Sequence, residues 1–241
     1  MFGGWWASGA YEAGGIAFVL AWIFWMVISI TFHELAHGWA AIGRGDQTPI
    51  QSGHMTFNPI VHMGLQSLAM LALLGIAWGA MPVDPTRMKG RHADAWVSFA
   101  GPLMNFFIAA SCIVAGGIAL ATMSRDDIGA LKPNVHDALQ GGAMLAPKIA
   151  FFLGVGAMLN IALGLFNLLP LPPLDGSRIL ASFSPMFRNF VMSDGGRIAS
   201  MIAFVLAFFF ASRVIVPIGM GVTMFGMGTI TLGLKLVGVG P

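Results

Sequence analysis

Phe32-His33-Glu34-Leu35-Ala36-His37 closes a long apolar run, and how it is read decides the fold. Outward toward the N-terminus, Gly15 to Thr31 contains no charged residue. Such a run predicts a membrane-spanning helix that continues through His37 to about Ile42. Residues four apart on a helix point the same way, one turn above another. His33 and His37 can therefore offer two imidazole nitrogens to one zinc ion, with Glu34 close by as a base. In a soluble helix this H-E-x-x-H pattern also arises by chance. In hydrocarbon an ionisable side chain costs roughly 2.5–3.5 kcal/mol, so such residues usually have a functional reason to be there. The plainer alternative is a polar cluster where the helix leaves the bilayer. Two histidines make half a zinc site, so the rest of the chain must supply a third ligand.

The composition bounds the class. The chain has 241 residues, 57% hydrophobic and 9% charged, whereas soluble domains carry about a quarter charged residues. This is the composition of an all-α polytopic membrane protein. The net charge of +2 comes without any block of like charges, which argues against nucleic acid as a partner. Cys112 is the sole cysteine, so an internal disulfide and a cysteine-based zinc site are both excluded. Met1 to Gly14 has no Lys or Arg and so lacks a secretory n-region, while Trp5, Trp6 and Tyr11 suit a membrane-water interface. The longest polar stretches, about twenty residues, are too short to fold independently. A single integral-membrane domain over 1–241 is expected, with a catalytic core at about 16–180 and a C-terminal helical hairpin at about 196–237.

Beyond the motif, Gly43 to Met63 is a turn-rich connection whose interior can supply short strands. Gly64 to Ala80 is apolar but short. Ala95 to Met123 and Ile149 to Leu169 are clear spans, separated by the polar loop Ser124 to Ala146. Arg197 to Ala211 and Val214 to Leu236 resemble a closing hairpin broken around Arg213 and Pro217. Arg44, Arg87, Lys89, Arg91, Arg178, Arg188 and Arg197 fall in three connections, which the positive-inside rule puts in the cytoplasm, with the N-terminus outside. If Gly64 to Ala80 crossed, the basic loop Arg87 to Arg91 would lie outside. That segment is therefore expected to enter the bilayer and return on the same side. The sum is five full crossings plus one re-entrant segment, with short membrane-associated strands. Glycines 219, 226 and 233, and the pair 221 and 228, form narrow stripes on the last span. Packing within the chain is the favoured reading over a dimer seam.

Asp175 is the natural partner for the two histidines. It follows the proline-rich run Pro170-Leu171-Pro172-Pro173 and falls by parity at the same membrane face. Two His, one carboxylate and an open position make a catalytic zinc pattern, although Leu-Asp-Gly alone is usually a turn. Asn160 and Asn167 lie seven apart on the preceding helix, and Asn105 opens the Ala95 span. Such amides commonly glue membrane helices together; contact with a substrate backbone is the sharper option. His54 and His62 sit beside the site and His92 and His136 in charged loops, while Arg178 is placed to orient Asp175 or to anchor the loop.

Phe-His-Glu-Leu-Ala-His, then Ala100-Gly101-Pro102-Leu103-Met104-Asn105, then Phe166-Asn167-Leu168-Leu169-Pro170-Leu171-Pro172-Pro173-Leu174-Asp175-Gly176 resembles the site-2 protease family of intramembrane zinc metalloproteases. Gly45-Asp46-x-Thr48 and Met55-Thr56-Phe57-Asn58-Pro59, followed by His62, resemble its short bacterial form without a PDZ or CBS domain. The resemblance covers roughly Thr31 to Leu180. It implies one zinc ion (Zn2+) on His33, His37 and Asp175, with Glu34 as catalytic base. It also implies Asn167 as a substrate-contacting residue and Asn105 as an active-site support, the two forming the candidate substrate-binding pair. The implied partners are a transmembrane substrate and the lipid bilayer, in an inner-membrane protein whose site faces the cytoplasm. His54 stands where a basic arginine is expected, and Met81 where lysine is common before Pro-Val. Exposed edges at Met55 to Phe57 and Ala80 to Val83 are the candidate partners for an extended peptide. A membrane metal carrier and a catalytically silent scaffold are the competing classes.

Overall fold

The computed structural model describes residues 6–124 and 145–240; the loop between them, including Arg125, Lys132 and His136, and the terminal residues with Trp5 lie outside the described part. Eight α-helices are described: α1 (Trp6–Gly43), α2 (Thr48–Gln51), α3 (Pro59–Leu74), α4 (Ala93–Ala121), α5 (Leu145–Asn167), α6 (Asp175–Phe183), α7 (Pro185–Met192) and α8 (Asp194–Leu236). Four stretches are long and apolar enough to cross a membrane: Gly14–Gly43, Ala93–Ala121, Leu145–Asn167 and Arg213–Leu236. The number rises to five if the bent pair Pro185–Met192 and Asp194–Phe210 is counted as a span. The molecule is a polytopic, all-helical membrane protein.

Local sequence sets the helix boundaries. α1 bends at Gly14 and Gly15, the latter at φ 67°, a conformation that favours glycine. Asn58 starts α3 by accepting from the Ile60 amide, with Pro59 at the first helical position, and left-handed Gly75 ends it. Ser184 caps α7 through the Phe187 amide, and Ser193 caps α8 through the Gly196 amide. These serines separate the short helices α6 and α7, and then α7 from the long α8.

The core lies where α1, α3, α4 and α5 meet, around Trp25, Met26, Ile30, Met63, Leu71, Cys112, Met158 and Leu159. Cys112 is buried there as an apolar filler. Gly156 of α5 lets the Trp25 ring of α1 close in; an added Cβ would collide with the indole. The Trp25 indole N–H donates to the Phe152 carbonyl at 2.8 Å. α1 is thus fixed in height and rotation against α5, which carries both asparagines.

Two expectations change. Among the described residues no strand forms at Met55–Phe57 or Ala80–Val83. A strand needs a ladder partner. Here the backbone instead bonds to α3: the Ser67 hydroxyl joins the Trp78 carbonyl (2.6 Å) and amide (2.8 Å), and the Ala80 amide donates to the His62 carbonyl at 2.9 Å. The chain after Gly75 therefore doubles back along α3. Its far end is tied down where the Asp84 amide donates to Asp46 Oδ2 at 2.7 Å.

The closing hairpin is also replaced. α8 is helical for 43 residues through Arg213 and Pro217, about 64 Å at 1.5 Å per residue. Proline removes one helical hydrogen bond but does not by itself reverse the chain. Phe204 and Phe208 meet Phe166, Gly219 meets the Met158 carbonyl, and Gly226 meets Ile113, so both halves run on in one direction along α5 and α4. The stripe glycines that make contact, Gly219 and Gly226, pack within the chain; Gly221, Gly228 and Gly233 have open space.

Candidate metal centre

Helix α1 carries His33, Glu34 and His37 inward near its C-terminal end, and all three are buried. α6 brings in Asp175 as its first residue, where the helix dipole favours a carboxylate. His33 Nε2 lies 3.1 Å and His37 Nε2 3.4 Å from Asp175 Oδ2, and the two Nε2 atoms are 3.0 Å apart. Residues separated by 142 positions thus put three ligand atoms around one point.

The remaining ring nitrogens show what that point can hold. His37 Nδ1 lies 2.7 Å from the Val97 carbonyl, which can only accept. His33 Nδ1 lies 2.6 Å from Asn105 Oδ1, likewise an acceptor. In neutral imidazoles both protons then reside on Nδ1, and both Nε2 lone pairs face the Asp175 carboxylate. Three acceptors with no donor between them repel one another unless a cation sits among them. Two His and one carboxylate form a zinc-type donor set with room for a fourth ligand. Gly101 of α4 completes the cradle: a Cβ there would fall 2.6 Å from His33 Nε2 and closer still to His37 Nε2. The residues fit a zinc ion.

Glu34 borders a cavity of about 500 Å³, shared with His33, Asn167, the Ile76–Gly79 segment, Phe204 and Phe208. Gly79 passes so close that a Cβ would meet Glu34 Oε1 at 2.6 Å. Asn167 is half-buried, its Nδ2 donating to the Leu163 carbonyl at 3.1 Å. Asn105 is fully buried, with Oδ1 on His33 and Nδ2 donating to Asn160 Oδ1 at 3.0 Å. Both ends of its amide are thus engaged within the protein, which is the geometry of a support for His33.

The other candidates serve the scaffold. Arg178 bonds Asp94 of α4 at 2.6 Å, tying α6 to α4. His62 Nε2 donates to the Thr56 carbonyl at 2.6 Å, and the His54 ring lies edge-on to it at 6.4 Å. His92 is half-buried and stacks on Phe183 at 4.5 Å. Backbone contributions went unnoticed in the sequence: the Val97 carbonyl and Gly101 lie eight and four residues before Asn105, on one face of α4. That spacing was the available signal.

The site and helices define a membrane metallohydrolase of the H-E-x-x-H type. Residues 21–210 match the model of peptidase family M50. The chain is also 34% identical over 163 residues to "Putative zinc metalloprotease YwhC" of Bacillus subtilis (strain 168), covering 66% of this chain and 67% of that protein. No solved structure gives a significant match. The chain belongs to peptidase family M50, the site-2 protease family, and is a zinc metalloprotease.

Proposed function

We propose that this protein is an intramembrane zinc endopeptidase that hydrolyses peptide bonds within or near transmembrane segments of membrane proteins. The observation that carries the reading is the meeting of three converging ligand atoms with an apolar cavity at the inner end of a membrane-type helix. One zinc ion held by His33, His37 and Asp175 would supply Lewis acidity to the scissile carbonyl and to the attacking water. Glu34 takes the proton from that water and passes it to the leaving amine. Asn167, which lines the same cavity, offers its amide to the substrate backbone.

A transmembrane helix hides its peptide bonds, so the substrate unwinds locally before attack. Trp78 and Ala80 spend their amides on α3. In an extended chain the alternate residues face the other way, so Ala77 and Gly79 are the positions where an extended peptide pairs beside Glu34. In the bilayer α3 and the chain after it enter and return on the same side. The N-terminus is outside, and the site faces the cytoplasm.

Proteoliposomes with a model transmembrane substrate test this. The wild type cleaves, a chelator stops it, and Glu34→Gln abolishes cleavage with zinc retained. Wild-type cleavage by Glu34→Gln contradicts the mechanism. Cysteine labelling near Lys89 from outside alone would overturn the topology.

A further inference from the structure

Resting on the zinc-site reading, we infer that Asn160 is a positioning residue for His33. Through Asn105 it keeps the His33 proton on Nδ1 and leaves Nε2 bare for the metal.

The argument starts from a group that cannot change its role. The Gly156 carbonyl only accepts, and it lies 2.8 Å from one end of the fully buried Asn160 amide, so that end is the NH2 group. The same NH2 reaches the Ser29 hydroxyl of α1 at 2.8 Å. The other end, Oδ1, therefore faces Asn105 and accepts from its Nδ2 at 3.0 Å. Asn105 must then turn its own oxygen to His33 Nδ1, at 2.6 Å. An oxygen there demands a proton on Nδ1, and in a neutral imidazole the other nitrogen is then unprotonated. Each link fixes the next, from one backbone carbonyl on α5 to the metal-facing nitrogen on α1. His37 needs no relay, because the Val97 carbonyl reaches it directly.

Removing the acceptor at 160 frees this chain. In Asn160→Leu the buried Asn105 Nδ2 loses its partner. The amide can then turn over, present Nδ2 to His33 Nδ1 and drive the ring proton onto Nε2, where it blocks the metal. Asn105→Asp removes that alternative, since a carboxylate has no N–H to present in either orientation.

Zinc affinity of the full-length protein, measured by competition with a chromophoric chelator, is the first readout. Asn160→Leu should bind on the order of 10-fold more weakly, within the range known for groups behind a metal ligand. Ser29→Ala, which leaves Gly156 in place, should stay within about twofold. Asn105→Asp added to Asn160→Leu should restore affinity, which repair of packing alone would not do. The second readout needs no variant: nitrogen chemical shifts of labelled histidine in metal-free wild type should show His33 as the Nδ1–H tautomer. Wild-type affinity in Asn160→Leu, failure of Asn105→Asp to rescue, or an Nε2–H His33 in the wild type each overturns the inference. A wild type that binds no zinc defeats the protease reading, and the tautomer still judges the relay.

Discussion

The two walls of the site are built on opposite plans. On the α4 side nothing has slack: Gly101 lies against both imidazoles, the Val97 carbonyl holds His37, and Asn105 holds His33. Around Glu34, by contrast, Ile76–Gly79, Leu163, Phe166, Phe204 and Phe208 leave about 500 Å³ open. A second cavity of about 350 Å³ shares Ile76, Ala77, Leu163, Phe166 and Phe208 with the first. Metal geometry tolerates errors of a fraction of an ångström, so its wall is made of backbone and satisfied amides. On the proposed reading a peptide of varied sequence needs room, and apolar side chains that can rearrange leave it; the tight wall then sets the chemistry and the loose wall what enters.

Losing the base, or breaking the tight wall, should have the largest effects. Glu34→Gln is expected to lower cleavage by roughly 10²–10⁴-fold, as for loss of a general base, at unchanged zinc content. Gly101→Ala should lower zinc affinity on the order of 100-fold with helix content preserved by circular dichroism, because the new methyl occupies the ligand cradle. Changes on the loose wall should spare the metal. Phe208→Ala enlarges the cavity and should alter KM and the preference among model substrates by a few-fold, with zinc affinity at the wild-type level.

Changes in the scaffold away from the metal and the cavity should alter stability and spare the chemistry. Burial pushes the Asp46 pKa up, but the Thr48 hydroxyl, the Asp84 amide and the Thr48 amide outweigh it and hold the carboxyl below its ordinary range. A lowered folded-state pKa adds stability above the unfolded value, about 3.9, and this is lost as pH falls through the folded value. Asp46→Asn should therefore be destabilised relative to wild type at neutral pH in thermal unfolding, with the gap narrowing in acid. Arg178→Met breaks a half-exposed pair with Asp94 and should cost at most about 1 kcal/mol.

The tight wall was the more legible of the two, but only through its side chains. His33 and His37 declare themselves by four-residue spacing on an uncharged run, and Asp175 by its place after a proline stop at the same face. Asn105 and Asn160 stood out as amides in apolar helices, although the partner of each depends on helix rotation, which Gly156 and Trp25 decide. The Val97 carbonyl leaves no mark of its own, because every residue has one; only its four-residue register with Gly101 and Asn105 points to it. Strands were expected near residues 55 and 80 from a turn-rich connection and from backbone held extended by prolines; Ser67 and His62 of α3 take the Trp78 backbone, the Ala80 amide and the Thr56 carbonyl instead. The α8 hairpin was inferred from Pro217 and Arg213, and neither can turn a helix that has apolar neighbours along both halves. The loose wall is made of phenylalanines like many others in this chain, and packing alone selects Phe204 and Phe208.

The central claim is that His33, His37 and Asp175 hold one zinc ion. Zinc content together with X-ray absorption at the zinc edge, on the wild type and on Asp175→Ala, tests it most directly. The account predicts one zinc per wild-type chain, bound by two imidazole nitrogens and a carboxylate oxygen at about 2.0–2.2 Å, and loss of that oxygen with most of the metal in the variant. A full complement of zinc with an unchanged spectrum in Asp175→Ala would contradict it.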